Sequence, residues 1–132
     1  MAEIIKHNEA DEIADLPEHP IPALEGLDLM NILDSGGAEL LVVIADPIDE
    51  SKFSQQRLVQ KLANYFTFIN SEHYVQQVGV TPTIENTKVV VKIHPSSSGV
   101  YSELISNCIS WAHENNSAIE LKVLTNKEMG IE

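Results

Sequence analysis

The side chains that could do chemistry in this chain are five histidines, one cysteine, a short acidic cluster and a serine-rich turn. His7, His19, His73, His94 and His113 have no zinc-like spacing. A structural zinc uses closely paired ligands, often cysteines, and Cys108 stands alone. Cys108 and His113 lie five positions apart on an expected helix, which turns them about 140° from each other. They are therefore no ready nucleophile–base pair, and Cys108 reads as a small hydrophobe on an apolar stripe. Asp46, Asp49 and Glu50 cluster between an expected strand and helix. Such carboxylates bind Mg²⁺ or act as an acid/base pair where a fold brings them together. They also steady a helix N-terminus through its dipole. Without a visible nucleophile or substrate clamp, they do not make an enzyme.

Ser96, Ser97, Ser98 and Gly99, within PSSSG at 95–99, form a candidate anion site. A strand, a small-residue turn and a helix start can present free N–H groups to an anion. Neither GxGxxG nor GxxxxGK[ST] occurs, and the loop holds no base, so helix capping is the competing account. Asp46 with His94 and this turn defines an alternative, a small enzyme or anion-binding domain, that requires one pocket joining the two side chains. No metal, cofactor or catalytic residue is assigned.

Charge is distributed unevenly around these groups. Of the 132 residues, the first 50 carry thirteen carboxylates against one base, Lys6, while the remaining 82 carry seven of each sign. The net charge of −12 repels nucleic acid and anionic membranes. One cysteine excludes an intramolecular disulfide. The N-terminus lacks a basic-then-apolar signal segment, and the longest apolar run, LLVVIA at 40–45, falls far short of the ~20 residues that span a bilayer. A soluble, cytoplasmic protein is expected. The expected organisation is an acidic, proline-containing leader over 1–24, a single α/β domain over 25–126 and a tail over 127–132. In the leader, PEHPIP at 17–22 favours an extended path. The segment either stays free or drapes along the domain with Ile21 and Leu24 as anchors.

The elements that position the candidates follow from periodicity. LDLMNIL at 27–33 and ELLVVIAD at 39–46 read as antiparallel strands joined by Asp34-Ser35-Gly36-Gly37. Leu58, Leu62, Tyr65, Phe66 and Ile69 make the stripe of a helix from about Ser54 to Asn70, with Gln55, Gln56, Lys61 and Asn64 mainly away from it and Ser51 or Ser54 as cap. Residues 71–86 have no clear pattern, with YVQQV as a short extended piece. TKVVVKIH at 87–94 is a strand. A second helix over 99–115 buries Val100, Tyr101, Leu104, Ile105, Cys108, Ile109 and Ala112, with Ser97 or Ser98 as cap. AIELKVL at 118–124 is the last strand. The order β-β-α-β-α-β gives an α+β, two-layer α/β sandwich, with two helices on one face of a mixed four-stranded sheet. The last strand–helix–strand unit is expected to be a parallel crossover.

The stretches LDLMNILDSGGAELLVVIAD (27–46), QQRLVQKLANYFTFINSE (55–72) and TKVVVKI (87–93) resemble a family of small bacterial α/β proteins without an established activity. With the C-terminal helix and strand the resemblance covers about 27–124 and leaves out the acidic leader. It implies the fold and no mechanism.

Binding residues remain. Phe68 falls off the centre of its helix stripe, so either residues 71–86 cover it or it contributes to a dimer contact. Tyr74 and Trp111 are the other candidate interface aromatics, Trp111 at the core edge or facing a partner. Asp46, Asp49 and Glu50 complete the candidate interface. Three classes compete: an accessory or protein-binding domain that meets a basic protein partner, a homo-oligomeric structural protein such as a homodimer, and the small enzyme or anion-binding domain. Nucleic acid and membrane are not expected partners.

Overall fold

The Asp34–Gly37 turn reverses the chain through two glycines with positive φ, Gly36 at 93° and Gly37 at 116°. The computed structural model describes residues 16–130. Its elements are β1 (Leu29–Ile32), β2 (Ala38–Ile44), α1 (Lys52–Ile69), α2 (Glu72–Val78), β3 (Thr87–Ile93), α3 (Val100–Asn107), α4 (Ile109–Glu114) and β4 (Ala118–Val123). The sheet has four strands in chain order, β1-β2-β3-β4. The β1–β2 hairpin is antiparallel, from Leu29 opposite Leu41 to Ile32 opposite Ala38. β2–β3 and β3–β4 are parallel and adjacent. The helices pack on one face, giving the mixed two-layer α+β arrangement that the periodicity predicts.

Alternation decides which face is which. Leu40, Val42 and Ile44 of β2, and Val89, Val91 and Ile93 of β3, join Leu58, Leu62, Tyr65, Phe66, Ile69, Tyr101 and Ile105 in one core. On the other face the register lines up Leu29, Leu41, Val90 and Glu120, and of these Leu41 and Val90 are buried while Leu29 is exposed. Ion pairs flank that row, Lys88 with Glu120 at 3.1 Å and Lys92 with Glu128.

Three local features differ from the sequence reading. β1 is shorter than 27–33 because Asp28 leaves the ladder: its N–H donates to the Tyr65 hydroxyl at 2.9 Å, and its Oδ2 accepts from Val43 N–H at 2.9 Å. Residues 72–78 form a helix, not an extended piece; Tyr74 pins it to the core and Gly79 ends it in the left-handed conformation at φ 88°. The C-terminal helix breaks in two at Cys108, whose N–H donates to Ile105 O, three residues back. That tightened turn rotates Ile109 out of the stripe, and it is 42% exposed. Ser51 caps α1, accepting from Ser54 N–H at 3.1 Å.

Candidate functional site

Residues 19–28 run along α1, and the helix holds them by their backbone. The contacting side chains, at 54, 57, 61, 64 and 65, fall on successive turns and form one ridge beside the apolar stripe, Ser54 meeting the His19 ring and the others main-chain groups. Arg57 Nε donates to Ile21 O at 3.0 Å, and a second guanidinium nitrogen donates to the same carbonyl. Lys61 Nζ donates to Ala23 O at 3.0 Å and to Asp28 Oδ1 at 2.8 Å. Asn64 Nδ2 donates to Leu24 O at 2.9 Å. The Tyr65 hydroxyl accepts from Asp28 N–H and donates to Leu41 O at 2.6 Å, tying segment, helix and sheet together. Burial pushes its pKa well above the usual phenol value. Lys61, which the amphipathic pattern sets mainly away from the stripe, is buried at 3% exposure. Ile21 and Leu24 seat in the core below the segment. Residues 1–15 of the acidic leader lie outside the described residues.

His19 pins the start of this clasp. Its Nδ1 accepts Ile21 N–H at 2.9 Å, so the neutral ring carries its proton on Nε2 and donates to Ser54 Oγ at 2.9 Å. Desolvation, followed by the Arg57 charge, lowers its pKa, while Asp49 pulls the other way. An unfolded histidine protonates near pH ~6.5. Stability from neutral His19 is fully present above that pH and is lost as pH falls through it toward the lowered folded value. From about pH 7.5 to about pH 5.5, the urea midpoint is expected to fall more for the wild type than for His19→Asn, which keeps an acceptor but cannot protonate. Equal falls would show that His19 does not titrate against folding.

At the carboxyl ends of β2, β3 and β4, a cleft of about 330 Å³ is lined by Val43, Ala45, Asp46, His94, Leu124, Glu128 and Met129. Asp46 and His94 therefore share one open cleft. His94 Nδ1 accepts Ser96 N–H at 3.0 Å, leaving Nε2 as the protonated nitrogen of the neutral ring. A hydrogen bond from Lys92 holds Glu128 down to about 2. The neighbouring serine turn is committed internally. Ser97 N–H donates to His94 O, Ser98 N–H to Ile48 O and Val100 N–H to Ser98 Oγ. Ser97 Oγ accepts from Ile48 N–H at 3.2 Å. Ser96–Gly99 thus binds the loop after β2 to the start of α3, and Ser97 serves that loop, not the helix cap. Among the described residues, no group of three or more His, Cys, Asp or Glu side chains could hold a metal ion. Burial raises the Cys108 thiol pKa, which disfavours its nucleophilic form.

The candidate interface aromatics belong to the packing. Tyr74 is fully buried, its hydroxyl bonded to Thr87 Oγ1, and so presents nothing to a partner. Phe68 is half-buried, edge-on to Tyr74 with centroids 6.1 Å apart, so α2 supplies its cover. Trp111 packs edge-on against Phe66 at 4.8 Å, at the core edge. The acidic residues remain at the surface. From 16 to 50 the chain has eight carboxylates and no base. Glu18, Glu25, Asp28, Asp34, Asp46, Asp49 and Glu50 are exposed, and Glu39 is half-buried. Asp28 pairs with Lys61, and Asp49 accepts from Ser51 N–H and its hydroxyl, which lowers the Asp49 pKa. Among the described residues, no ion pair engages Glu18, Glu25, Asp34, Glu39, Asp46 or Glu50.

Fold and surface together define a small two-layer α+β domain with an acidic, base-free stretch on its exterior. No helix of the described residues is long and apolar enough to cross a membrane. Against protein-family models, curated proteins and solved structures, the chain gives no match.

Proposed function

We propose that this chain is a small cytoplasmic accessory domain that binds a protein partner through a basic surface on that partner. One observation carries the reading: eight carboxylates and no base between 16 and 50, six of them outside any ion pair among the described residues. A surface of one sign accelerates encounter with the opposite sign and rejects like-charged partners. The test compares tagged wild type with the variant Glu18→Gln, Glu25→Gln, Asp46→Asn, Glu50→Gln, each purified from native cells. A stoichiometric basic partner is expected with the wild type, and it is lost with the variant or at about 0.5 M salt. Equal recovery by both, or recovery of the chain alone, would sink the reading.

A second reading, a small enzyme or ligand-binding domain, is favoured by the single cleft that Asp46 and His94 line. Its lining holds no hydroxyl or thiol nucleophile among the described residues, and its carboxylates Asp46 and Glu128 oppose an anion. Small-molecule screening by ligand-detected NMR that gives equal signals with wild type and with Asp46→Asn, His94→Ala protein would remove it. The resemblance over 27–124 is compatible with either reading.

A further inference from the structure

β1 is an edge strand whose outward hydrogen-bonding groups can be assigned from the turn. Leu33 N–H donates to Gly37 O at 2.9 Å, which makes 33/37 a hydrogen-bonded pair. Alternation along an antiparallel ladder then makes Asn31/Glu39 and Leu29/Leu41 the bonded pairs. The N–H and C=O of Met30 and Ile32 point away from β2. Ala38, opposite Ile32, confirms the phase, because its N–H donates the other way, to Asn86 O at 2.9 Å. Among the described residues, β2 is the strand that pairs with β1.

Natural edge strands are usually blunted by lysine, proline or a bulge. β4, at the other edge, carries Lys122, which reaches Glu120 at 3.7 Å. β1 reads Leu-Met-Asn-Ile and, apart from being only four residues long, carries no lysine, proline or bulge. Leu29 is 49% exposed and Ile32 53%, with Leu33 exposed beyond them. The charges around the edge outside any ion pair among the described residues are negative, Asp34 after it and Glu39 beside Asn31 in the register, while Asp28 before it is paired with Lys61.

We propose that the outer edge of β1 docks an extended, basic segment of a partner protein, which adds to the sheet as a fifth strand. The proposal rests on the acidic-surface reading above and gives that reading a place. Met30 and Ile32 would supply the main-chain bonds, Leu29 and Ile32 the apolar contacts, and Asp34 and Glu39 the selection for lysine or arginine. A second copy of this chain is a poorer occupant. Two-fold antiparallel pairing centred on Asn31, the register that bonds Met30 to Ile32, sets Asp28 of each copy opposite Asp34 of the other, and does so between chains of net charge −12.

The test uses full-length protein and three capped octapeptides: alternating lysine–valine, alternating glutamate–valine, and the lysine–valine peptide N-methylated at alternate residues. Binding is followed by fluorescence anisotropy, and amide exchange by NMR. The lysine–valine peptide is expected to slow exchange at Met30 and Ile32 and to bind at least about tenfold more tightly than either of the others. Ile32→Pro removes an outward N–H that the β1–β2 ladder does not use, and is expected to weaken binding at least about tenfold with an unchanged thermal midpoint. Ile32→Lys, which keeps the N–H but adds a positive charge, is the second variant and should weaken binding in the same direction.

Tight binding of the lysine–valine peptide that ignores N-methylation and both variants overturns the edge site while leaving the acidic-surface reading standing. Absence of binding by the lysine–valine peptide also overturns the edge site, and the native-cell capture then judges the broader reading separately. Protection of Met30 and Ile32 that rises with protein concentration, without peptide, assigns the edge to a second copy and overturns the proposal.

Discussion

Deletion of residues 1–24 is expected to leave a chain without a cooperative unfolding transition. The loss goes beyond an acidic leader, because Ile21 and Leu24, at 1% and 4% exposure, are part of the core. Losing buried aliphatic side chains of this size costs about 2–5 kcal/mol each. The deletion also takes away Ile21 O and Ala23 O, the carbonyls that Arg57 and Lys61 bind from almost fully buried positions. Each buried cation then loses one acceptor, which is destabilising even though Lys61 keeps Asp28. Against a typical total stability of ~5–15 kcal/mol, a combined cost of about 5 kcal/mol or more removes most of the folded state. Urea denaturation followed by circular dichroism reads the result. A truncated protein that unfolds cooperatively within about 1 kcal/mol of full length would contradict the clasp. Ile21→Ala alone is expected to cost about 3 kcal/mol, which separates the apolar part from the rest.

Gly37→Ala is the second large effect. A Cβ at Gly37 would sit 2.0 Å from Asn86 O and 2.8 Å from the Asn86 carbonyl carbon, both rigid backbone. That same oxygen accepts Ala38 N–H at 2.9 Å, where the hairpin joins the start of β3. Relieving the clash therefore breaks the first link between β2 and β3. With φ at 116° the backbone is also strained for any side chain. Strain and overpacking together predict a loss of about 3 kcal/mol or more. The neighbouring Gly36 is the control. Its φ is 93°, but the nearest atom to an added Cβ is Val80 Cγ1 at 3.7 Å, in ordinary contact. Gly36→Ala should cost only the backbone strain, about 1–2 kcal/mol. Equal losses in thermal or urea unfolding would show that the Asn86 contact has no weight.

The parts of the fold that sequence patterns predict are those whose burial comes from apolar repetition. The alternation of residues 87–93 and the Leu58–Ile69 stripe each mark a face that is buried, the glycine pair after β1 marks a turn, and each element forms there. Where burial has another origin, the pattern misleads. Lys61 and Asn64 look solvated because charge and amide usually are, yet a second, polar ridge of α1 is covered by main-chain carbonyls, which leave no periodic trace in the covering segment. The regular spacing of Ser54, Arg57, Lys61 and Asn64 is the signal that was available, read against three prolines in PEHPIP, whose missing N–H groups leave carbonyls as the natural contacts. The helix over 72–78 is too short to show a period; Tyr74 is its one buried residue, and Gly79 is its clearest marker. In the candidate site, the shared Asp46–His94 cleft depends on two strands ending side by side, a tertiary fact that no local spacing contains. Tyr74 is buried and not at an interface, and an aromatic ring in an unpatterned stretch gives no indication in sequence of which way it faces.

The clasp along α1 also bears on how freely this part of the chain can change. Helix side chains grip it at the carbonyls of residues 21, 23 and 24, groups common to every amino acid. Shape is constrained there far more than identity. Glu18, Ala23 and Glu25, all exposed, can be recoded in charge or fitted with a reporter group without loosening the attachment, provided Ile21, Leu24 and the flanking prolines stay. Drift in this segment can therefore retune the electrical character of the exterior while the architecture beneath it stays fixed.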